Sequence, residues 1–84
     1  MEAEKQIKEI TDILIELQED PTIPKNVKTK IETIVASLKE DKDLSIKVNK
    51  ALNELDEIAN DANIQSYTRT QVWNVVSLLE KLAS

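Results

Sequence analysis

Apolar residues recur along the chain with the spacing of one face of an α-helix, in four separate stretches. Within each stretch the apolar positions are mostly three or four residues apart, which is typical of a helix that buries one side. No stretch alternates apolar and polar residues as a half-buried strand does. The pattern therefore predicts four helices, whose inward faces are Ala3, Ile7, Ile10, Leu14 and Leu17; Val27, Ile31, Ile34, Val35 and Leu38; Leu44, Val48, Ala51, Leu52, Leu55 and Ile58; and Val72, Val75, Val76, Leu79 and Leu82.

Prolines and polar runs mark the connections between these helices. Pro21 is expected to end helix 1, because the residue before a proline is pushed out of the helical region. Pro24 suits the first turn of helix 2, where a missing N–H is not needed. The polar run 39–43 predicts the middle connection, with Asp41 or Asp43 as the N-cap of helix 3. All connections are short, so successive helices should pack as antiparallel neighbours.

The two halves of the chain carry the same pattern 41 positions apart (61 − 20 = 41). Self-similarity of this period marks a supersecondary unit copied in tandem. The first copy holds Ile7, Leu14, Leu17, Asp20, Ile23, Ile31, Val35 and Leu38, and the second holds Val48, Leu55, Ile58, Asp61, Ile64, Val72, Val76 and Leu79. We predict one domain, residues 1–84, in which hairpin 1 (about 3–40) and hairpin 2 (about 43–83) form an antiparallel four-helix bundle.

A HEAT-like open helical pair is the competing architecture. Asp20-Pro21 followed by Val27-Lys28 is similar to the Asp-Pro and Val-Arg positions of HEAT repeats, and Thr68-Arg69 is a faded second copy. Helical solenoids need about three or more repeats to bury a continuous core, whereas two hairpins can close on each other. The closed bundle is therefore the favoured fold.

The composition removes most catalytic and metal-binding chemistry. The 84 residues include no Cys, no His and no Gly. Thiol nucleophiles, the commonest general base and metal ligand, and phosphate-cradling glycine loops are therefore missing. The inward faces are also too aliphatic for a buried di-metal site. We expect no catalytic residue, no cofactor and no metal site.

The net charge of −5 argues against nucleic acid as a ligand, because phosphate binding depends on clustered Lys and Arg. No apolar stretch approaches the roughly 18 residues that span a bilayer. The opening residues MEAEKQIKE lack the basic-then-apolar order of a signal peptide. We expect a cytoplasmic protein that does not contact membranes, and no small-molecule substrate is evident.

Motifs in both halves of the chain are similar to those of a known family. They are IEL at 15–17, DPTIPKNVK at 20–28, LDEIAND at 55–61, YTRT at 67–70 and WNVVSLLE at 73–80. These motifs resemble the archaeal uncharacterised protein family 0147, and the resemblance covers nearly the whole chain. It implies a small helical protein with no established function, and it supplies no catalytic residue. Ala62 and Gln65 stand where the first copy has prolines, which leaves the start of helix 4 open.

Acidic residues gather at one end of the predicted bundle, where the first and third connections meet. They are Glu16, Glu19, Asp20, Glu57 and Asp61. Two interpretations stay open. The aspartates can satisfy free N–H groups of the next helix or pair with nearby Lys25, Lys28 and Arg69. Alternatively, this end forms an acidic recognition tip or a weak cation site.

Trp73 and Tyr67 are the aromatic residues of the chain. Each lies about 120° from the centre of the apolar face of helix 4, on opposite flanks. Trp73 replaces Glu32 of the first copy, and Tyr67 replaces Asn26. A flanking tryptophan either covers the seam beside a neighbouring helix or contacts a partner, since Trp is enriched at interface hot spots.

We predict a non-enzymatic helical interaction module that binds an unknown protein partner or associates with itself. The candidate partner contacts are Trp73, Tyr67, Arg69, Glu16, Glu19 and Glu57. Two other functions stay open. One is an enzyme that depends on carboxylates and a divalent cation, and the other is an RNA-associated accessory protein that uses Lys25, Lys28, Lys30 and Arg69.

Overall fold

Four α-helices make up most of the chain in a computed structural model that describes the backbone of residues 2–83 and the side chains of residues 4–82. They are α1 (Glu2–Gln18), α2 (Lys25–Lys39), α3 (Leu44–Ala59) and α4 (Ser66–Ala83). No residue between 2 and 83 lies in a strand. The prediction of an all-helical chain is confirmed, and the open start of helix 4 falls at Ser66.

The four helices form a closed ring of neighbours. α1 packs against α2 and α4, and α3 also packs against α2 and α4. The first helix therefore meets the last, and the molecule measures 35 × 19 × 17 Å. The closed four-helix bundle is confirmed in place of a HEAT-like open pair. Within the described residues, no helix is both long enough and apolar enough to cross a membrane.

One aliphatic core runs through the bundle and draws on all four predicted faces. Leu14, Val48, Leu55 and Leu79 are fully buried at its centre. The predicted residues Ile7, Val35, Leu44, Leu52, Val76 and Leu82 are partly buried at its edge. Ile23 and Ile64, in the first and third connections, are buried as well and close one end of the core. The predicted inward position of Ala3 lies outside the residues whose side chains are described.

The connections follow local capping rules. Asp43 is the N-cap of α3, where its carboxylate accepts a hydrogen bond from the backbone N–H of Ser45 at 3.0 Å, as predicted. Pro24 is the N-cap of α2 and lies just outside its first turn. The prediction was wrong by one position, because the backbone of Pro24 is extended, with φ −58° and ψ 149°. α1 ends at Gln18, ahead of Pro21.

A lysine of α3 fastens the middle connection to the end of α2. The ammonium group of Lys47 donates to the backbone carbonyls of Leu38, at 3.4 Å, and Glu40, at 3.0 Å. The last carbonyls of a helix have no partner within the helix. A basic side chain can donate hydrogen bonds to them, and its positive charge is attracted to the negative end of the helix dipole. The Lys47 contacts therefore link the end of hairpin 1 to the start of hairpin 2.

Leu14→Ala and Leu55→Ala should destabilise the protein by similar amounts, since these leucines are equivalent in the repeat (55 − 14 = 41) and both are fully buried. Each substitution leaves a cavity, and we expect each to lower the free energy of unfolding by about 2–5 kcal/mol. Chemical denaturation followed by circular dichroism measures the loss. Ile46→Ala, at a position 59% exposed, is the control and should change it by about 0.5 kcal/mol or less. A large loss at only one leucine would contradict a core shared equally by both hairpins.

Candidate functional site

The acidic end of the bundle contains the same hydrogen-bonded turn twice. The Asp20 carboxylate accepts from the backbone N–H of Thr22 at 2.8 Å and from its hydroxyl at 2.7 Å. In the second copy, the Asp61 carboxylate accepts from the backbone N–H of Asn63 at 2.8 Å. Aspartate side chains commonly form such turns with the backbone two residues on. Both aspartates therefore shape the connection that follows their helix.

Asp20 is held in its ionised form by these contacts. The backbone N–H of Thr22, and then its hydroxyl, lower the pKa of Asp20 below the ordinary value of 3.8, and the charge of Lys28 adds a smaller effect. Asp20 therefore carries a negative charge at neutral pH.

The carboxylates at this end do not converge on a common point. Within the part of the chain that the structure describes, no group of three or more acidic side chains is placed to hold a metal ion. Magnesium and calcium sites in proteins are assembled from several oxygen ligands around one position. The weak cation site considered from the sequence has no such ligand set among these residues.

The seam between α2 and α3 is bridged by polar side chains near the acidic end. The ammonium group of Lys30 lies 3.2 Å from the Glu57 carboxylate. Closer to the turns, the side-chain amide of Asn26 donates to the Asp61 carboxylate at 3.4 Å. Glu57 of α3 and Asp61 of the following turn thus each have a partner on α2, and the seam is bridged at two levels.

The seam between α1 and α4 contains the repeat equivalents of these residues, but two of the four have changed. Glu16 and Asp20 correspond to Glu57 and Asp61, whereas Gln71 stands in place of Lys30 and Tyr67 in place of Asn26. Here the structure has an open groove of about 300 Å³. Its lining, which we call the turn-end groove, is Ile13, Glu16, Leu17, Asp20, Tyr67 and Gln71.

The substitution of Gln71 for the lysine leaves a carboxylate without a cation across this seam. Among the described side chains, none forms an ion pair with Glu16. Glu16 is exposed, so its charge remains solvated and carries no burial penalty. The turn-end groove thus combines two carboxylates with an aliphatic floor from Ile13 and Leu17 and one aromatic ring.

Two of the predicted partner contacts, Glu16 and Tyr67, line the turn-end groove together. Tyr67 is 66% exposed, although it is a large aromatic residue. Glu19 is exposed at the end of α1 and does not line the groove. Trp73 is 45% exposed. It lies six residues beyond Tyr67, a net rotation of about 240° around α4, so it faces away from the groove.

The other two predicted contacts are occupied within the chain. Glu57 pairs with Lys30, as described above. The guanidinium group of Arg69 donates to the backbone carbonyls of Ala59, through Nε at 2.9 Å, and Asp61, through Nη2 at 2.9 Å. Arg69 therefore satisfies carbonyls at the end of α3 and in the turn that follows, and it ties α4 to that turn.

Sequence reasoning missed Gln71, Ile13 and Leu17 as parts of a site. Leu17 and Ile13 were hidden because aliphatic residues on α1 are expected to fill the core. Gln71 carries a signal that the repeat makes visible, since it replaces the lysine of the first copy. Comparison of Lys30 with Gln71 would have indicated an unbridged seam before the structure was known.

Comparison with known proteins identifies a family over nearly the full length. A family model described as "Uncharacterised protein family (UPF0147)" matches residues 1–82. A UPF0147 protein of Methanocaldococcus jannaschii is 38% identical over 80 residues, which cover 94% of this chain and 86% of that protein. A UPF0147 protein of Thermoplasma volcanium is 38% identical over 76 residues, which cover 89% of this chain and 85% of that protein. The resemblance inferred from the motifs is confirmed.

Two solved structures share the fold. The crystal structure of a protein from uncharacterised family UPF0147 of Thermoplasma acidophilum has a TM-score of 0.90 and 32% sequence identity, and the match covers 98% of this chain and 99% of that one. The crystal structure of a protein of unknown function has a TM-score of 0.83 and 36% sequence identity, and the match covers 89% of this chain and 86% of that one. Both support the four-helix architecture.

Gln71→Lys should bridge the α1–α4 seam as Lys30 bridges the α2–α3 seam. The Lys30–Glu57 side chains are 39% and 66% exposed, and exposed ion pairs contribute about 0.2–1 kcal/mol. A double-mutant cycle of Gln71→Lys with Glu16→Gln should give a coupling energy in this range. The cycle of Lys30→Gln with Glu57→Gln is the matched control. Coupling in the control cycle but none between positions 16 and 71 would contradict the equivalence of the two seams.

Thr22→Val should raise the pKa of Asp20 toward 3.8, because it removes the hydroxyl donor and keeps the backbone donor. Because the pKa of Asp20 is lower in the folded protein than in the unfolded chain, the ionised carboxylate stabilises the folded state fully at pH values above the ordinary pKa of 3.8. This stabilisation is lost as the pH falls through the lowered folded-state pKa. The variant should therefore lose less stability than the wild type on acidification through this range. NMR titration of the carboxyl carbon measures the pKa. Thr33→Val, whose hydroxyl bonds only the Thr29 carbonyl, should leave it unchanged.

Proposed function

We propose that this chain, which belongs to the uncharacterised protein family UPF0147, is a small non-enzymatic helical module that binds a protein partner through its α1–α4 seam. The observation that carries the proposal is the turn-end groove. The equivalent positions of the α2–α3 seam are joined by Lys30–Glu57 and Asn26–Asp61 contacts, so the turn-end groove lies where the two copies of the hairpin differ. Two predicted partner contacts, Glu16 and Tyr67, lie in it.

The chemistry of the groove favours binding over catalysis. General acid–base catalysis works best with groups whose pKa lies near the working pH. The ordinary pKa of an aspartate, 3.8, already makes it a poor proton donor at neutral pH, and the lowered pKa of Asp20 takes it further from that pH. An exposed tyrosine over an aliphatic floor is instead a common element of recognition surfaces, where Tyr is enriched. We therefore favour an interaction module over a carboxylate- or divalent-cation-dependent enzyme.

Charge and internal pairing favour a protein partner of a different sequence. With a net charge of −5, two copies of the chain repel each other, and self-association through an acidic groove is disfavoured. The RNA-associated alternative relied on four basic residues. Two of them, Lys30 and Arg69, already pair with groups of this chain. Because these two side chains already have partners, the structure supports RNA binding less than the sequence did.

The cytoplasmic location expected from the sequence stays a prediction. Cell fractionation followed by immunodetection tests it, with recovery in the soluble cytoplasmic fraction as the expected result. Recovery in the membrane fraction would contradict it.

Site-specific photocrosslinking tests the proposed function. A benzophenone amino acid at Tyr67 should crosslink a defined protein in extract of the producing cells, and the same group at Asn26, the equivalent position of hairpin 1, should not. The captured protein is then purified and its affinity measured by calorimetry. Tyr67→Ala should weaken binding about tenfold or more, as at an interface hot spot, and Asn26→Ala should change it by less than about twofold.

Three results would contradict the proposal. They are no crosslinked product from position 67, the same products from both positions, and a purified partner whose affinity is insensitive to Tyr67→Ala. A crosslink between two copies of this chain, together with a dimer in sedimentation equilibrium, would show that the chain binds a second copy of itself and not a different protein.

A further inference from the structure

We propose that the turn-end groove receives a lysine or arginine side chain of the partner protein, whose cation lies against the Glu16 and Asp20 carboxylates. The inference rests on the interaction function proposed above and names the chemistry of the occupant. It follows from two independent features. One is the open groove on the α1–α4 seam, and the other is the Lys30–Glu57 ion pair at the equivalent place on the α2–α3 seam.

The molecule contains its own example of the proposed contact. In the α2–α3 seam, the Lys30 ammonium group lies 3.2 Å from the Glu57 carboxylate. Glu16 is the repeat equivalent of Glu57 (57 − 16 = 41), but the position equivalent to Lys30 is Gln71, which has no charge. The α1–α4 seam thus keeps the carboxylate and lacks the cation. A basic side chain from outside would restore the pairing that the other seam makes internally.

The lining of the groove matches both parts of a long basic side chain. Lysine and arginine bury their methylene stems along apolar surface and keep the charged group near water. Ile13 and Leu17 offer that apolar surface at the floor. At the rim, Glu16 and Asp20 can accept charge-assisted hydrogen bonds, and the face of the Tyr67 ring attracts a cation.

The size and charge of the site fit one such side chain. About 300 Å³ is the lower end of the range for ligand pockets, so the groove has room for a single side chain and not for a packed helix. The Asp20 carboxylate is charged at neutral pH, and the Thr22 hydrogen bonds stabilise its ionised form further by lowering the pKa below the ordinary value of 3.8. The net charge of −5 also attracts a basic surface during association.

NMR titration with Nα-acetyl-lysine amide tests the occupant, with the Nε-acetylated form as the uncharged matched probe. At low ionic strength, the charged probe should give saturable shifts at Glu16, Tyr67 and Gln71, and the acetylated probe should not. Glu16→Gln should weaken binding about fivefold, as expected for loss of one exposed charge partner. Glu57→Gln removes the same charge from the equivalent seam, and should change affinity by less than twofold.

Gln71→Lys provides a second variant, because its own ammonium should occupy the site and weaken binding of the charged probe by a similar factor. Equal losses in Glu16→Gln and Glu57→Gln would overturn the proposal and indicate general attraction to an acidic surface. Equal binding of both probes, or no saturable shifts in the groove, would also overturn it.

The two proposals can fail separately. A partner that depends on Tyr67 while the charged probe does not bind overturns the basic occupant and keeps the interaction module. A probe that binds as expected in a protein that crosslinks no partner keeps the cation site and overturns the module.

Discussion

The structure depends on the burial of an aliphatic face that neither hairpin can cover alone. The helices have 17, 15, 16 and 18 residues, at or slightly above the roughly 12–15 residues below which isolated helices are marginal in water, and in proteins such helices gain most of their stability from packing an apolar face. The two helices of each hairpin pack against each other, but their apolar stripes are covered completely only when α1 also meets α4 and α2 also meets α3. Helix formation and hairpin association are therefore coupled. The two seams between the hairpins complete the core, and they are where the copies have diverged.

The sequence was sufficient for the fold because the fold rests on periodic and local signals. Apolar spacing gave the buried faces around Leu14 and Leu55, and the Asp43 cap followed from a side chain that bonds its own neighbouring backbone. The prediction for Pro24 was wrong by one position, because the proline ring fixes φ but not ψ, and the extended ψ of 149° places Pro24 just before the helix. The fold was thus predictable apart from the starts of α2 and α4.

The candidate site was predictable only in part, because it depends on contacts between helices that are distant in sequence. Acidic residues at the turns were visible in the chain, but nothing local shows that Glu57 has a lysine across its seam while Glu16 faces a glutamine. The sequence indicated Arg69 as a partner contact, but its guanidinium group donates to the backbone carbonyls of Ala59 and Asp61, ten and eight residues earlier in the chain. The repeat aligns Gln71 with Lys30, but only the structure shows which carboxylates these two side chains lie beside.

The middle connection has a consequence for assembly. Among the described residues, the helix–helix contacts between the hairpins lie in the α2–α3 and α1–α4 seams, so the same seams would form if two chains exchanged their second hairpins. Domain swapping of this kind retains the native contacts and changes only the hinge. Here the hinge is residues 40–43, held by the Asp43 cap and by Lys47, which donates to the carbonyls of Leu38 and Glu40. These hydrogen bonds hold the hinge in the closed form of this structure, in which one chain completes its own core.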